Sequence, residues 1–251
     1  MYDSMRWRPF LLLNLLAALI VASWFFAPTA ALWSAFDTWA FHALNDNLRN
    51  KPLTQIFWAL ANVKLADLFG AAFIISFSLL YVFDDGKKHA VKRLAQLFYY
   101  LIWFEIGILC LKEVLFHLLV AVNFLRDSPS LVFSNTVLLS KAVPWLKIKD
   151  SSHWSFPSDH AFIVLEWAGF IWFYCGWRLG LLAFISSWFF ILPRLIGGAH
   201  WISDVLVGSA PIALVFVASA CFTPLYPFGM RYLERLSKFI FTKCTKDSSY
   251  G

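Results

Sequence analysis

From residue 9 to residue 27 no side chain carries a charge, and Asn14 and Ser23 are the main polar interruptions. A helix needs roughly 20 such residues to cross a bilayer. Comparable runs cover residues 66–83, 94–120, 161–177, 181–196 and 201–222, the fifth being short and aromatic. Backbone in hydrocarbon must satisfy its own hydrogen bonds, so repeated apolar runs of this length leave a helical bundle as the fold. The expectation is an all-α, polytopic membrane protein of six transmembrane helices, forming a single domain over residues 1–251. Composition agrees. The chain is 60% hydrophobic and 14% charged, where a soluble domain carries about 25% charged residues. Its 13 tryptophans and 27 phenylalanines suit the aromatic belts at membrane surfaces.

The charges order the spans. Arg6 and Arg8, the loop with Lys87, Lys88, Lys92 and Arg93, Arg178, and the basic segment from about residue 230 fall on one side of a six-span chain. The positive-inside rule makes that side cytoplasmic and places both termini there. The net charge of +6 is then a topology signal, and nucleic acid is not needed to explain it. The tail 230–251 reads as a solvated or membrane-surface segment. The first run is long enough to span and no small-x-small site clearly follows it, so it reads as an uncleaved helix. Residues 29–64 alternate apolar and polar at helical spacing, with Phe36, Trp39, Ala40, Ala43 and Leu44 on one face and Asp37 and Asn45 off it. They read as one or two helices lying in the interface, and Asn62, Lys64 and Asp67 after them are near enough in sequence to approach a site. Cys110, Cys175, Cys221 and Cys244 form no C-x-x-C pair and read as reduced, structural thiols.

Ionisable groups inside apolar runs are costly and mark function by default. Residues 193–204 join the fifth and sixth runs and hold Arg194, His200 and Asp204. His200 and Asp204 are four apart, so a helix sets them one turn apart on one face. The carboxylate can then hold one ring nitrogen and leave the other reactive. Gly197 and Gly198 can turn backbone N–H groups toward an anion at the helix start, and Arg194 supplies a planar fork for phosphate. Residues 155–161 stand before the fourth run and add Ser158 and His160 at a second helix start. Two histidines, an arginine and two helix starts make a phosphate pocket with a nucleophile and an acid.

The segment Pro157-Ser158-Asp159-His160 resembles the P-S-G-H motif of the type 2 phosphatidic acid phosphatase (PAP2) superfamily. Arg194, His200 and Asp204 match that superfamily's R-x5-H-x3-D spacing. Within the superfamily the chain is similar to the lipid A phosphotransferases, through Phe-Pro-x-Asp-His, Pro-Arg-x-x-x-Gly-Ala-His-Trp and Arg126-Asp127-Ser128-Pro129. Two departures stand out. The first motif, K-x6-R-P, has no match: Lys112 lies fourteen residues before Arg126 and Asp127 replaces the proline. On a continuous helix those seven extra residues set Lys112 about 10 Å deeper than the motif expects, too deep to share one phosphate with Arg126. Asp159 stands where the motif has glycine, and a carboxylate close to His160 raises its pKa or limits which phosphates enter.

The residues support phosphoryl transfer through a phosphohistidine. His200 attacks phosphorus, Asp204 orients it, and His160 protonates the leaving oxygen and later acts as base. Arg126, Arg194, Ser158 and backbone near Gly198 bind the charged oxygens, and Lys112 is a further candidate for the phosphate. In the third run Lys112 reads equally as a structural partner of Glu105 or Glu113, and His117 as an interfacial histidine. Lys141, Lys147 and Lys149 in the outer loop read as solvated charges or as attraction for an acidic headgroup. The resemblance implies no metal and no other cofactor. It implies undecaprenyl diphosphate as donor, the 1-phosphate of lipid A as acceptor, and a site on the periplasmic face of the bacterial inner membrane. A lipid phosphate phosphatase uses the same residues with water as acceptor. A transport or scaffold protein accounts less well for polar residues gathered at one face.

Overall fold

A computed structural model describes residues 5–83 and 87–247. Residues 84–86 of the basic loop and 248–251 of the tail lie outside the described residues. Among the described residues the chain is helical, with no strand. The long helices are α1 (Trp7–Phe25), α2 (Ala27–Asn45), α3 (Pro52–Leu60), α4 (Lys64–Phe83) and α5 (Lys87–Leu109). A π-helical segment, Cys110–Leu115, carries α5 into the short α6 (Phe116–Ala121). The outer loop holds two single turns, α7 (Pro129–Val132) and α8 (Leu139–Ala142). Then come α9 (Asp159–Cys175), α10 (Trp177–Ile196), a second π segment at Asp204–Ser209, α11 (Ala210–Phe222) and α12 (Leu225–Asp247).

Among the described residues, four helical segments are long and apolar enough to cross a membrane: Trp7–Phe25, Lys64–Phe83, Trp177–Ile196 and Asp204–Phe222. The two other expected spans fall short for visible reasons. Lys87, Lys88, Lys92 and Arg93 open α5, and its apolar stretch is divided by the π segment. The other, α9, has 17 residues. It forms a hairpin with α10, turned at Gly176, whose φ of +84° an L side chain rarely adopts. The helices α1 and α9 both flank α11, and α12 lies along α5. The inner core joins Tyr99 and Tyr100 of α5 to Trp167 and Phe170 of α9, Cys221 of α11 and Met230 of α12.

That packing corrects the reading of the tail. It begins as a helix whose Met230 and Ser237 are buried, so its first turns are part of the bundle.

In α2 the apolar-face residue Trp39 is exposed, while Asp37 and Asn45, off that face, are 2% and 1% exposed. These polar residues of α2 are turned to protein partners while Trp39 is not. Asn45 shows the consequence: its amide donates to the carbonyls of Val137 and Ile196 and its oxygen accepts from Val137 N. One side chain thereby fastens α2 to the outer loop and to the end of α10.

Two backbone features bring the reactive stretches together. The π segment widens the first turn at Asp204, and the Asp204 carbonyl accepts from Ser158 N and from the Ser209 hydroxyl. Ser209 also donates to the Ser158 carbonyl. Gly208 lets this happen, because a Cβ there would stand 2.8 Å from Pro157 Cβ and 3.1 Å from its Cα. Gly208→Ala should therefore push the 155–158 stretch off the π segment and cost roughly 1–3 kcal/mol. Thermal unfolding in detergent, followed by tryptophan fluorescence, checks this.

Candidate active site

The end of α10 sets Arg194. Its side chain is almost fully buried, and its Nη1 donates to Asn62 Oδ1 at 2.8 Å and to the Asn62 carbonyl at 3.1 Å. Asn62 also donates to the Pro193 carbonyl, so the turn between α3 and α4 grips both the arginine and the helix end. The remaining arm, Nη2, points at Asp67 in the first turn of α4, 2.8 Å from each carboxylate oxygen.

Ser158 caps α9 by accepting from Ala161 N at 3.4 Å, and the first turn of α9 carries Asp159 and His160. Asp159 Oδ1 accepts from His160 Nδ1 and from the His160 backbone N–H, both at 2.8 Å. His160 Nε2 lies 3.5 Å from Asp67 Oδ2 and 3.1 Å from Arg194 Nη2. Burial opposes charge on this imidazole, but bonds and charge from Asp159 and Asp67 outweigh that and raise its pKa to about 9. A protonated ring cannot accept from arginine, so His160 and Arg194 are two donors drawn together by the one Asp67 carboxylate. Burial likewise works against the Asp159 anion, and the hydrogen bond and charge of His160 hold its carboxyl well below the usual range.

His200 is held differently from the expectation. Its Nδ1 is 2.7 Å from the Ser155 carbonyl and 3.6 Å from Asp204 Oδ2. A carbonyl only accepts, so Nδ1 carries a proton, and a neutral ring then has its lone pair on Nε2. The Asp204 oxygens are committed elsewhere, Oδ2 to Trp201 N at 2.8 Å and Oδ1 to Arg126 Nη1. Asp204 therefore acts on His200 from just beyond bonding distance.

His160 and His200 line one cavity of about 310 Å³, with Arg194, Asp159, Lys112 and Lys149 also in its wall. Among the expected phosphate ligands, Arg194 and Lys112 are brought there. Lys112 arrives on the π segment of the third run, and it reaches the cavity without Arg126. Arg126 is spent on Asp37 at 2.6 Å, on Asp204 and on the Ser203 hydroxyl at 2.8 Å, between the rings of Trp24 and Trp201. Ser158 is 2% exposed and outside the cavity wall. Gly198, at φ +79°, gives its N–H to the Leu195 carbonyl and its carbonyl to Ser130 N, and it too is outside the wall. The structure assembles these three as scaffold around the cavity.

Sequence reasoning offered Lys149 only as a solvated charge or as attraction for an acidic headgroup, and did not mark Ser152, Trp154 or the Ser155 carbonyl. A lysine just before the motif was a usable signal; a backbone carbonyl carries none. His117 bonds its own helix at the Glu113 carbonyl. Among the described residues no three His, Cys, Asp or Glu side chains are grouped to hold a metal ion. On the other side of His160 and Asp67 lies a second, apolar cavity of about 340 Å³ between α4, α5, α9 and α10, walled by Gly70, Ile74, Phe104 and Phe190.

Two histidines, Arg194 and two lysines face one cavity, and residues 107–226 match the family model of the PAP2 superfamily. The chain is similar to the lipid A 1-diphosphate synthase of Escherichia coli (strain K12), with 28% identity over 218 residues that span 85% of this chain and 87% of the relative. No solved structure matches it significantly. Together the comparisons support a membrane-bound lipid phosphatase or phosphotransferase.

Arg126→Leu should leave Asp37 and Asp204 buried without their cation and destabilise the protein by about 3–5 kcal/mol, lowering the thermal midpoint in detergent. A raised KM for lipid substrate at unchanged stability would instead make Arg126 a phosphate ligand.

Proposed function

We propose that this chain is an inner-membrane phosphotransferase that moves the terminal phosphoryl group of undecaprenyl diphosphate to the 1-phosphate of lipid A, at a periplasmic site, through a phosphohistidine on His200. The observation that carries the chemistry is the pair of histidines on one cavity, one with a free Nε2 and the other protonated between carboxylates. The donor and acceptor rest on the similarity to lipid A 1-diphosphate synthase. Six spans with both termini inside follow from the charge pattern, with α5 through α6 and α9 as the two spans of lower hydropathy or length. The lipid substrates reach the site from within the membrane.

In the first half-reaction the lone pair on His200 Nε2 attacks the terminal phosphorus. The P–O bond to the donor's inner phosphate breaks, its electron pair stays on that oxygen, and His160 Nε2 supplies the proton. Arg194 and Lys112 meet the charge on the non-bridging oxygens. The Ser155 carbonyl and the nearby Asp204 stabilise the His200 ring as it becomes cationic. In the second half-reaction an oxygen of the acceptor's phosphate attacks phosphorus, the P–N bond breaks, and the pair returns to His200 with His160 as base. Exchange of one diphosphate for another is nearly thermoneutral, which suits a compartment without ATP.

Purified protein given undecaprenyl diphosphate labelled on its terminal phosphate should pass label to lipid A. Release of label as inorganic phosphate, at a rate independent of lipid A, would make water the acceptor and the enzyme a lipid phosphatase.

The pH dependence has a definite sign. The general acid is the protonated His160, present below its pKa of about 9 and lost above it. The kcat/KM of the wild type should fall on the alkaline side near that value. Asp159→Asn should move the limb to lower pH, because it removes the partner of Nδ1. An unmoved limb would detach Asp159 from the acid.

A further inference from the structure

Only one arm of Arg194 faces the cavity, since Asn62 takes the other. That arm and His160 Nε2 are the donors a transferring phosphoryl group needs, and both converge on Asp67. A carboxylate with two oxygens on one guanidinium nitrogen, and an imidazolium beside it, has the charge and the spread of acceptors of a phosphate edge. Asp67 lines the apolar cavity beside His160, and its partners His160 and Arg194 line the polar one, so it stands at the seam between them. Its side chain is 41% exposed, so nothing wedges it in place. Lys64 lies three residues earlier on the same helix, one turn away and exposed, within reach of a carboxylate that has let go of Arg194.

We propose that Asp67 is an internal anion seated in the phosphate subsite, displaced by a substrate headgroup, and that it sets how much negative charge a ligand needs to enter. Resting on the phosphotransferase reading above, it deepens that reading by naming the residue that discriminates among anions. The competition favours a lipid diphosphate or another multiply charged phosphate ester over singly charged anions. It also weakens rebinding of free inorganic phosphate, because each bound anion must first take Arg194 Nη2 and His160 Nε2 from Asp67. Asp67 is a positioning and specificity residue. While the site is empty it keeps the arginine and the charged histidine together, although alone they would repel. His160 is then faced by Asp159 on its own helix, Asp67 from α4, Arg194 from α10 and His200 from the turn beyond α10.

The test is the binding of inorganic phosphate and of orthovanadate to purified protein in detergent, by calorimetry, in the wild type and in Asp67→Asn. Each is also made in a His200→Ala background, where no turnover occurs. Asp67→Asn should bind both anions about tenfold more tightly or better. The alkaline limb of kcat/KM should also move to lower pH, as His160 loses one of its two carboxylates. Asp67→Ala serves as the second variant should the asparagine's own amide hold Arg194. Unchanged or weaker anion binding in both variants would overturn the proposal and make Asp67 a support for Arg194. So would a large fall in kcat at unchanged anion affinity, which would make it a proton carrier. The binding arm does not depend on the destination of the phosphoryl group, so a chain that proves to be a phosphatase fails the labelled-donor experiment and leaves this one intact.

Discussion

The guanidinium of Arg126 is the charge on which the outer half of the molecule depends. It meets Asp37 from α2 and Asp204 from the π segment, with Ser203 between them and an indole on either side. Asp37 in turn accepts from the Ser203 backbone and hydroxyl. Three stretches far apart in sequence are thereby closed around one cation. Breaking a buried pair costs far more than its net worth, because it strands the other charge. The network therefore fixes geometry more than it adds stability, and the geometry it fixes is that of Asp204, from which Trp201 N and the neighbourhood of His200 are set.

The two π segments serve the same end. In each, an ionisable residue sits where the helix is widened: Lys112 in the third run and Asp204 in the last. Widened turns inside α-helices often occur at functional sites, and here one delivers a cation to the cavity wall while the other receives the Ser158 N–H on its first carbonyl. A regular helix at 204–209 with a larger residue than Gly208 would hold the two motif stretches apart.

Much of this was legible in the sequence, for reasons that can be named. Apolar runs of membrane length fix helices, because hydrocarbon permits little else. Arg194, His160 and His200 were legible because ionisable groups beside such runs need a reason. Spacing separated Lys112 from Arg126, and the structure keeps them apart by a different route: the helix widens at Cys110 and ends at Ala121, and the chain turns at Asn123 with φ +53°. Lys112 meets the cavity and Arg126 is drawn into the Asp37–Asp204 network. Spacing set Asp37 and Asn45 off the apolar face of α2, but it could not name the protein partners that bury them. Ser158 and Gly198 belong to motifs whose value here is conformational, as a helix cap and a positive-φ turn, and residue identity alone does not separate that from binding.

The division of labour between the histidines follows from what each one touches. His160 has a carboxylate at Nδ1 and another within 3.5 Å of Nε2, and both favour the charged ring. His200 has at Nδ1 a neutral carbonyl, which fixes the tautomer without demanding a second proton. One environment stores a proton at the atom facing the cavity; the other stores a lone pair there. Swapping the roles would require His160 to shed a proton stabilised from two sides before attacking phosphorus. The proposed assignment, with nucleophile at His200 and acid at His160, rests on which neighbour is a carboxylate and which is a carbonyl.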